Sequence, residues 1–234
     1  QITGTGNSAQ YCSVDVTDAE GLAELGANLG RKITGILHGA GLEDSKLVAD
    51  KSHEIFNNVV RVKVDGWRAL LGAVHASGSD NPRFACCFTS VAGRFGNNGQ
   101  TDYAAANCVL DSEMSRLTAS GTCRAVAIGW TGWRDVGMAT RGSIESVFEA
   151  AGIETLSVEE GVSIFVDEAL SGGKRRVIGC GSLGIMNRFD VFRDAPLRLP
   201  ANMAALIADP ARFPFIDKVN KIDEGQTLTT QSTL

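Results

Sequence analysis

An α/β fold, a doubly wound parallel sheet, is what this sequence predicts, and three observations predict it. Apolar runs of strand length alternate with longer segments of helical period. The run RFACCFTSV is apolar on both faces, as a central parallel strand is. Every candidate polar position, Asp15, the Gly39-Ala40-Gly41 turn, Ser90 and Trp130, falls just after a strand, where such sheets bind ligands.

The elements follow in order. AQYCSVDV (9–16) reads as a strand, and TDAEGLAELGANLG as a helix opened by Thr17 or Asp18 as N-cap. ITGILH (33–38) is a second strand, ending in the GAG turn. From about Ser52 to Ala76, Ile55, Phe56, Val59, Val60, Val64, Trp67, Leu70, Leu71 and Val74 form the inner stripe of a long helix. After RFACCFTSV comes a glycine- and asparagine-rich loop, a helix from about Thr101 to Thr118 and the strand Arg124–Trp130. Helical segments near 143–151 and 158–170 lead to a last strand, Arg175–Cys180.

One part of the usual plan has no counterpart here. A dinucleotide fold opens with a strand, a glycine-rich turn and a helix, then a strand carrying the ribose-selecting residue. Thr3-Gly4-Thr5-Gly6 runs within a few residues into Tyr11 with no helix between, so it reads as a linker, and the sheet is entered at about its third strand. Residues 1–185 are expected to form this region. Residues 186–212, with Pro196, Pro200 and Pro210, read as a linker or wrapping tail, and 213–234 as a tail in which FPFIDKV is a short apolar patch and DEGQTLTTQSTL is polar and mobile.

Composition narrows the classes of partner. The 234 residues carry 22 Lys plus Arg against 27 Asp plus Glu, a net charge of −5, which disfavours nucleic acid or an anionic membrane surface. No apolar run approaches the roughly 20 residues of a membrane span, and QITGTGNSAQ lacks the segments of a signal peptide. Six cysteines without a CxxC pair point to buried free thiols in a reducing, cytoplasmic compartment. His38, His53 and His75 have no ligand-like spacing, so no metal site is expected.

The chemistry concentrates in TSVAGRFGNNGQTDYAAAN (89–107), which holds one of only two tyrosines. Tyr103 lies thirteen residues after Ser90 and four before Asn107, so Tyr103 and Asn107 share one helix face. A phenol beside a hydroxyl suits proton donation to a carbonyl oxygen. A free phenol, with a pKa of about 10, needs a nearby cation to do it. Lys63, which interrupts an apolar helix face, is the leading candidate. Singly, each residue has a structural reading: a loop hydroxyl, a core aromatic, a turn brace, a solvated lysine.

As a set, these residues resemble the site of the short-chain dehydrogenases/reductases. Asparagine after the tyrosine, with lysine upstream in KVDG, is similar to the ketoreductase domains of polyketide synthases and multifunctional fatty acid synthases. VDVTD, HGAG, KVDGWRALL, FTSVAGRFGNNGQTDYAAANCVLD and VAIGWTGWRDVGMA fall in the family's order, over about residues 9–185. RVKVDGWRALL and SVAGRFGNNGQTDYAAAN are most similar to polyunsaturated fatty acid synthases.

The resemblance implies NADPH-dependent reduction of a β-ketoacyl thioester carried on an acyl carrier protein, beside neighbouring synthase domains. Tyr103 would protonate the alkoxide, Ser90 hold the same oxygen, Lys63 depress the phenol's pKa, and Asn107 order the waters or lysine beside it. Asp15 and Val16 would flank the adenine, Gly39, Ala40 and Gly41 pass beneath the cofactor, and the loop at Trp130 line the nicotinamide. Trp130-Thr131-Gly132-Trp133 departs from the family's W-G-x-W. Met138 would be a lid over the substrate, and Asp44 and Phe95 would decide which ketone face meets the hydride, giving the D-configured alcohol. FPFIDKV (213–219) resembles the entry to a dehydratase-like domain. Two other readings stand: a truncated non-catalytic scaffold segment, and a free-standing short-chain dehydrogenase.

Overall fold

The structure is a computed structural model that describes residues 7–138, 148–170 and 176–184, and the strands 218–223 and 227–231. By its internal contacts the chain separates into two units, 1–186 and 187–234.

In the first unit four parallel strands form one sheet in the order β1-β2-β3-β4: β1 (Gly35–His38), β2 (Phe84–Ser90), β3 (Arg124–Trp130) and β4 (Arg176–Gly179). The helices are α1 (Ala19–Asn28), α2 (His53–Ala76), α3 (Val91–Phe95), α4 (Thr101–Ala119) and α5 (Val158–Leu170). Strand alternation sorts the core into two layers. Ile36, Ala85, Cys87, Ala125 and Ala127 face Trp67, Val74, Leu110 and Met114 of α2 and α4. Cys86, Val126, Ile128 and Trp130 face the other way, against Ile164 and Phe165 of α5. Small strand residues on the first face leave room for the large helix side chains opposite.

Local signals explain most boundaries. Asp18 caps α1 by accepting from Gly21 N–H, and Ser52 caps α2 by accepting from Ile55 N–H. In KVDG, a Cβ on Gly66 would lie 3.0 Å from Val16 and 3.4 Å from His38, so glycine lets both approach α2.

Three expectations differ from the structure. Residues 9–16 form no strand; they lie largely exposed, with Tyr11 90% exposed, and no ladder pairs them among the described residues. An apolar-polar alternation becomes a strand only where a neighbour supplies the hydrogen bonds. The loop expected after Ser90 starts as the helix α3, because the Ser90 hydroxyl accepts from Ala92 N–H at 3.1 Å and Gly96, at φ +73°, ends the turn. The polar tail contains an antiparallel hairpin, β5 (Lys218–Asp223) and β6 (Thr227–Gln231).

Cys86, Cys87 and Cys123 are buried free thiols as expected, whereas Cys12 and Cys108 are free but exposed. Residues 3–6, the linker at 186–212, residues 213–217 and most of the 143–151 segment lie outside the described residues. Among the described residues no helix is long and apolar enough to cross a membrane.

Candidate active site

The carboxyl ends of β1 and β2 bring together residues from α2, α3 and α4. Lys63, on α2, is 2% exposed, and its ammonium donates to the Phe88 carbonyl at 3.1 Å. It stands 5.5 Å from the centroid of the Tyr103 ring. Burial pulls its pKa down to about 8, only partly opposed by the neighbouring Cys87. Gly41 makes room for it, since a Cβ there would lie 3.2 Å from Lys63 Cε and 3.3 Å from Nζ.

Tyr103 is 8% exposed and packs against Val59, Ala92 and Met138. Burial pushes the phenol's pKa up, hydrogen bonding from Ser90 and Asn107 pulls it down, and the charge of Glu43 pushes it up again. Asn107 is fully buried; its amide donates to the Tyr103 carbonyl at 2.7 Å, and its own carbonyl oxygen makes no hydrogen bond among the described residues. Gly93 allows this approach, for a Cβ there would come within 2.8 Å of Asn107 Cβ. Lys63, Tyr103 and Asn107 therefore occupy one buried locus with Ser90 half-buried beside them, and Met138 lies on its apolar side.

Other expected positions fall differently. Asp44 forms an exposed pair with Lys46 at 3.1 Å, while its neighbour Glu43 accepts from Gln100 at 3.1 Å and bears electrostatically on Tyr103. The acid that addresses the phenol is thus Glu43. Phe95 packs against the cluster of Val91, Ile153, Ile178 and Leu183. Trp130 is 6% exposed, edge-on to Phe88 and Trp133 at 5.5 and 5.0 Å, and a Cβ on Gly179 would lie 2.5 Å from its ring. Its indole packs in the α5 layer.

Asp15 is exposed and accepts from Thr17 N–H and Oγ1 at 2.8 and 2.9 Å, which holds its carboxyl below the usual range. Val16 rests on α2 at Gly66. Gly39 is exposed, with only Phe88 within 4 Å of where a Cβ would stand.

Sequence reasoning passes over His38, Lys51, Gln100 and Asp102. His38 is 1% exposed and its Nε2–H donates to the Lys63 carbonyl at 2.9 Å, bracing α2 where the lysine departs. Burial drops its pKa to about 4, so the ring is neutral near pH 7. Its signal is present in the sequence: a lone histidine ending an apolar strand, beside the glycine turn.

The family model described as "KR domain" matches residues 1–135. The chain is 36% identical over 163 residues to polyketide synthase ThaG of Burkholderia thailandensis, covering 66% of this chain and 3% of that protein. It is 33% identical over 166 residues to a polyunsaturated fatty acid synthase chain of a Thraustochytrium species, covering 68% and 6%. Among solved structures, a ketoreductase domain from the bacillaene assembly line superposes with a TM-score of 0.67 at 26% identity, over 80% of this chain and 46% of that one. An A-type ketoreductase from a modular polyketide synthase gives 0.68 at 25%, over 76% and 37%. The chain spans only a few per cent of these two synthases and less than half of each solved ketoreductase chain.

Proposed function

The chain belongs to the KR domain family of polyketide and fatty acid synthases, and from that premise we propose that it reduces the ketone of a β-ketoacyl thioester to the 3-hydroxyacyl thioester. The thioester arrives on an acyl carrier protein of the same synthase, and NADPH, when bound, supplies the hydride. The observation that carries the reading is the buried convergence of Lys63, Ser90 and Asn107 on Tyr103.

The residues present fit a dinucleotide. Gly39 offers a bare stretch of turn, Ala40 adds only a methyl, and Gly41 lies against Lys63. Asp15, held ionised by Thr17, presents an exposed carboxylate beside Val16, where an adenine would be flanked. Asp15 and Val16 would hold the adenosine, and Gly39 to Gly41 the middle of the molecule.

Tyr103 gives its phenolic proton to the ketone oxygen as the alkoxide develops, and Ser90 donates a hydrogen bond to that oxygen. The Lys63 ammonium stabilises the phenolate left behind; at neutral pH it is largely charged, because its lowered pKa still lies near 8. Asn107 fixes the first turns of α4 through the Tyr103 carbonyl and offers its free carbonyl oxygen to the water or ammonium that returns the proton. Val59 and Met138 exclude water from one side of the phenol.

The test is turnover of a short β-ketoacyl thioester by the full-length protein with NADPH, followed by chiral chromatography. The expected product is predominantly the D-3-hydroxyacyl thioester. Absence of ketone reduction overturns the reading; predominantly L product overturns only the stereochemical part.

A further inference from the structure

The segment that leaves the GAG turn does not hang free; it is fastened to the start of the tyrosine helix. Lys51 and Asp102 form an ion pair at 2.5 Å, with side chains only 2% and 1% exposed. The same ammonium donates to the Gly99 carbonyl at 3.2 Å, and the same Asp102 oxygen accepts the Tyr103 N–H at 2.8 Å. Around this pair, Lys46 N–H reaches the Gly99 carbonyl at 3.0 Å, and Gln100 donates to Glu43 at 3.1 Å and to Ser45 at 3.3 Å. Gly99 adopts φ +77° with its carbonyl taking both lysine contacts.

Two features give the pair leverage over the site. The side chain of Gln100, the N-cap of α4, makes no capping bond, so the Asp102 carboxylate supplies the side-chain acceptor in the first turn. Tyr103 is the next residue. A shift of Asp102 therefore moves the phenol's backbone anchor directly, while a shift of Lys51 moves the segment carrying Glu43.

We propose that the Lys51–Asp102 pair is a positioning clasp that sets the spacing between the 43–51 segment and Tyr103, and so aligns the phenol with an incoming ketone. Lys51 and Asp102 touch no reacting atom; they act through Tyr103 and Glu43. The inference rests on the ketoreductase reading for its kinetic consequence but not for its structural one. Misalignment of about 1 Å is enough to cost about 10²-fold in rate. It also lets the ketone present its other face, so stereochemical fidelity falls along with kcat.

The test is a cycle of Lys51→Met, Asp102→Asn and the double variant in the full-length protein. Asparagine is nearly isosteric and keeps an acceptor for Tyr103 N–H, and the double variant leaves no unpaired buried charge. Expected are a kcat lowered about tenfold or more, KM for NADPH within about twofold, and a larger share of the minor enantiomer. The double variant should be no worse than the worse single one, the signature of residues acting as one unit. Folded variants with kcat and enantiomer ratio unchanged, or a loss confined to the cofactor's KM, overturn the proposal. Should the single variants fail to fold, the double variant decides by the same readings.

Amide hydrogen exchange provides an arm that needs no turnover. Asp102→Asn should raise exchange in 44–51 and 98–105 together, and unchanged exchange there overturns the clasp. If the wild-type protein does not reduce β-ketoacyl thioesters, the ketoreductase reading falls, and the exchange result judges the clasp separately.

Discussion

Between the sheet and the α2/α4 layer the molecule buries His38, Lys63, Asp102, Asn107 and Asp111; between the sheet and α5 it buries Cys86, Val126, Ile128 and Trp130. Both layers rest on the same strands, a residue apart. In the α5 layer, apolar area and ring packing dominate, with Phe88, Trp130, Trp133 and Phe165 meeting edge-on and Arg124 adding bonds to the Glu168 and Leu170 carbonyls. In the other, several buried polar groups answer one another: His38 the Lys63 carbonyl, Asp111 Thr89 at 3.0 Å, Asp102 Lys51. Unpaired, such groups cost several kcal/mol each. The difference teaches that one layer holds the fold while the other carries chemistry that the fold must tolerate.

The comparison breaks first at Tyr103. Tyr103→Phe removes one hydroxyl, so thermal stability should stay near wild type while ketone reduction falls about 10²–10⁴-fold. A variant keeping more than about a tenth of the rate would remove Tyr103 as principal acid. Trp130→Ala is the converse. It should cost about 3–5 kcal/mol in urea unfolding, yet activity per folded molecule should remain close to wild type; a selective loss of NADPH affinity would place Trp130 in the cofactor site.

Lys63→Met sharpens the contrast, since it should weaken catalysis and strengthen the fold. Lys63 has a folded pKa of about 8 against an ordinary 10.5, so folding disfavours its charged form. Wild-type stability from this residue therefore rises between pH 8 and 10.5, where the unfolded chain still holds the proton. The variant should be more stable at pH 7 by up to roughly 3 kcal/mol, with that advantage closing across the same window. Its rate should fall most near neutral pH, and the alkaline limb of the pH–rate profile should move; an unchanged profile would make the lysine a packing residue.

The smallest effects separate Glu43 from Asp44. Glu43 raises the Tyr103 pKa, so Glu43→Gln should move the alkaline limb to lower pH. Asp44→Asn disturbs only an exposed pair and should change stability by no more than about 0.5 kcal/mol, with the limb in place. Equal shifts from both would show that the two acids act alike.

How much of this is legible in the sequence follows from how local each cause is. The α2 and α4 helices and the β3 strand can be read almost to the residue: α2 from its apolar period and its Ser52 cap, β3 from its continuous apolar run, and α4 from the glycine- and asparagine-rich loop before it. Tyr103 and Asn107 can be paired from spacing because both lie on α4, whereas Ser90 comes from β2 and Lys63 from α2. Nothing in Leu-Glu-Asp says whether Glu43 or Asp44 turns inward; the bond from Gln100, 57 residues away, decides it. Lys51 and Asp102 look in sequence like a solvated charge and a first-turn acid, since burial of a pair 51 residues apart is a tertiary fact. Nearness to a strand end does not tell which cluster the Trp130 ring joins, nor does spacing from Tyr103 tell where the Phe95 ring packs.

The cap that opens α3 ties reactivity to local melting. Ser90 uses an acceptor lone pair on Ala92 N–H, so its single hydrogen remains available for donation toward the pocket. The short helix and the hydroxyl's orientation are thereby one equilibrium: whenever residues 91–95 fray, the hydroxyl is free to rotate and its aim is lost. Subglobal opening of so short an element requires far less free energy than global unfolding. Activity should accordingly decline with temperature before the sheet itself comes apart.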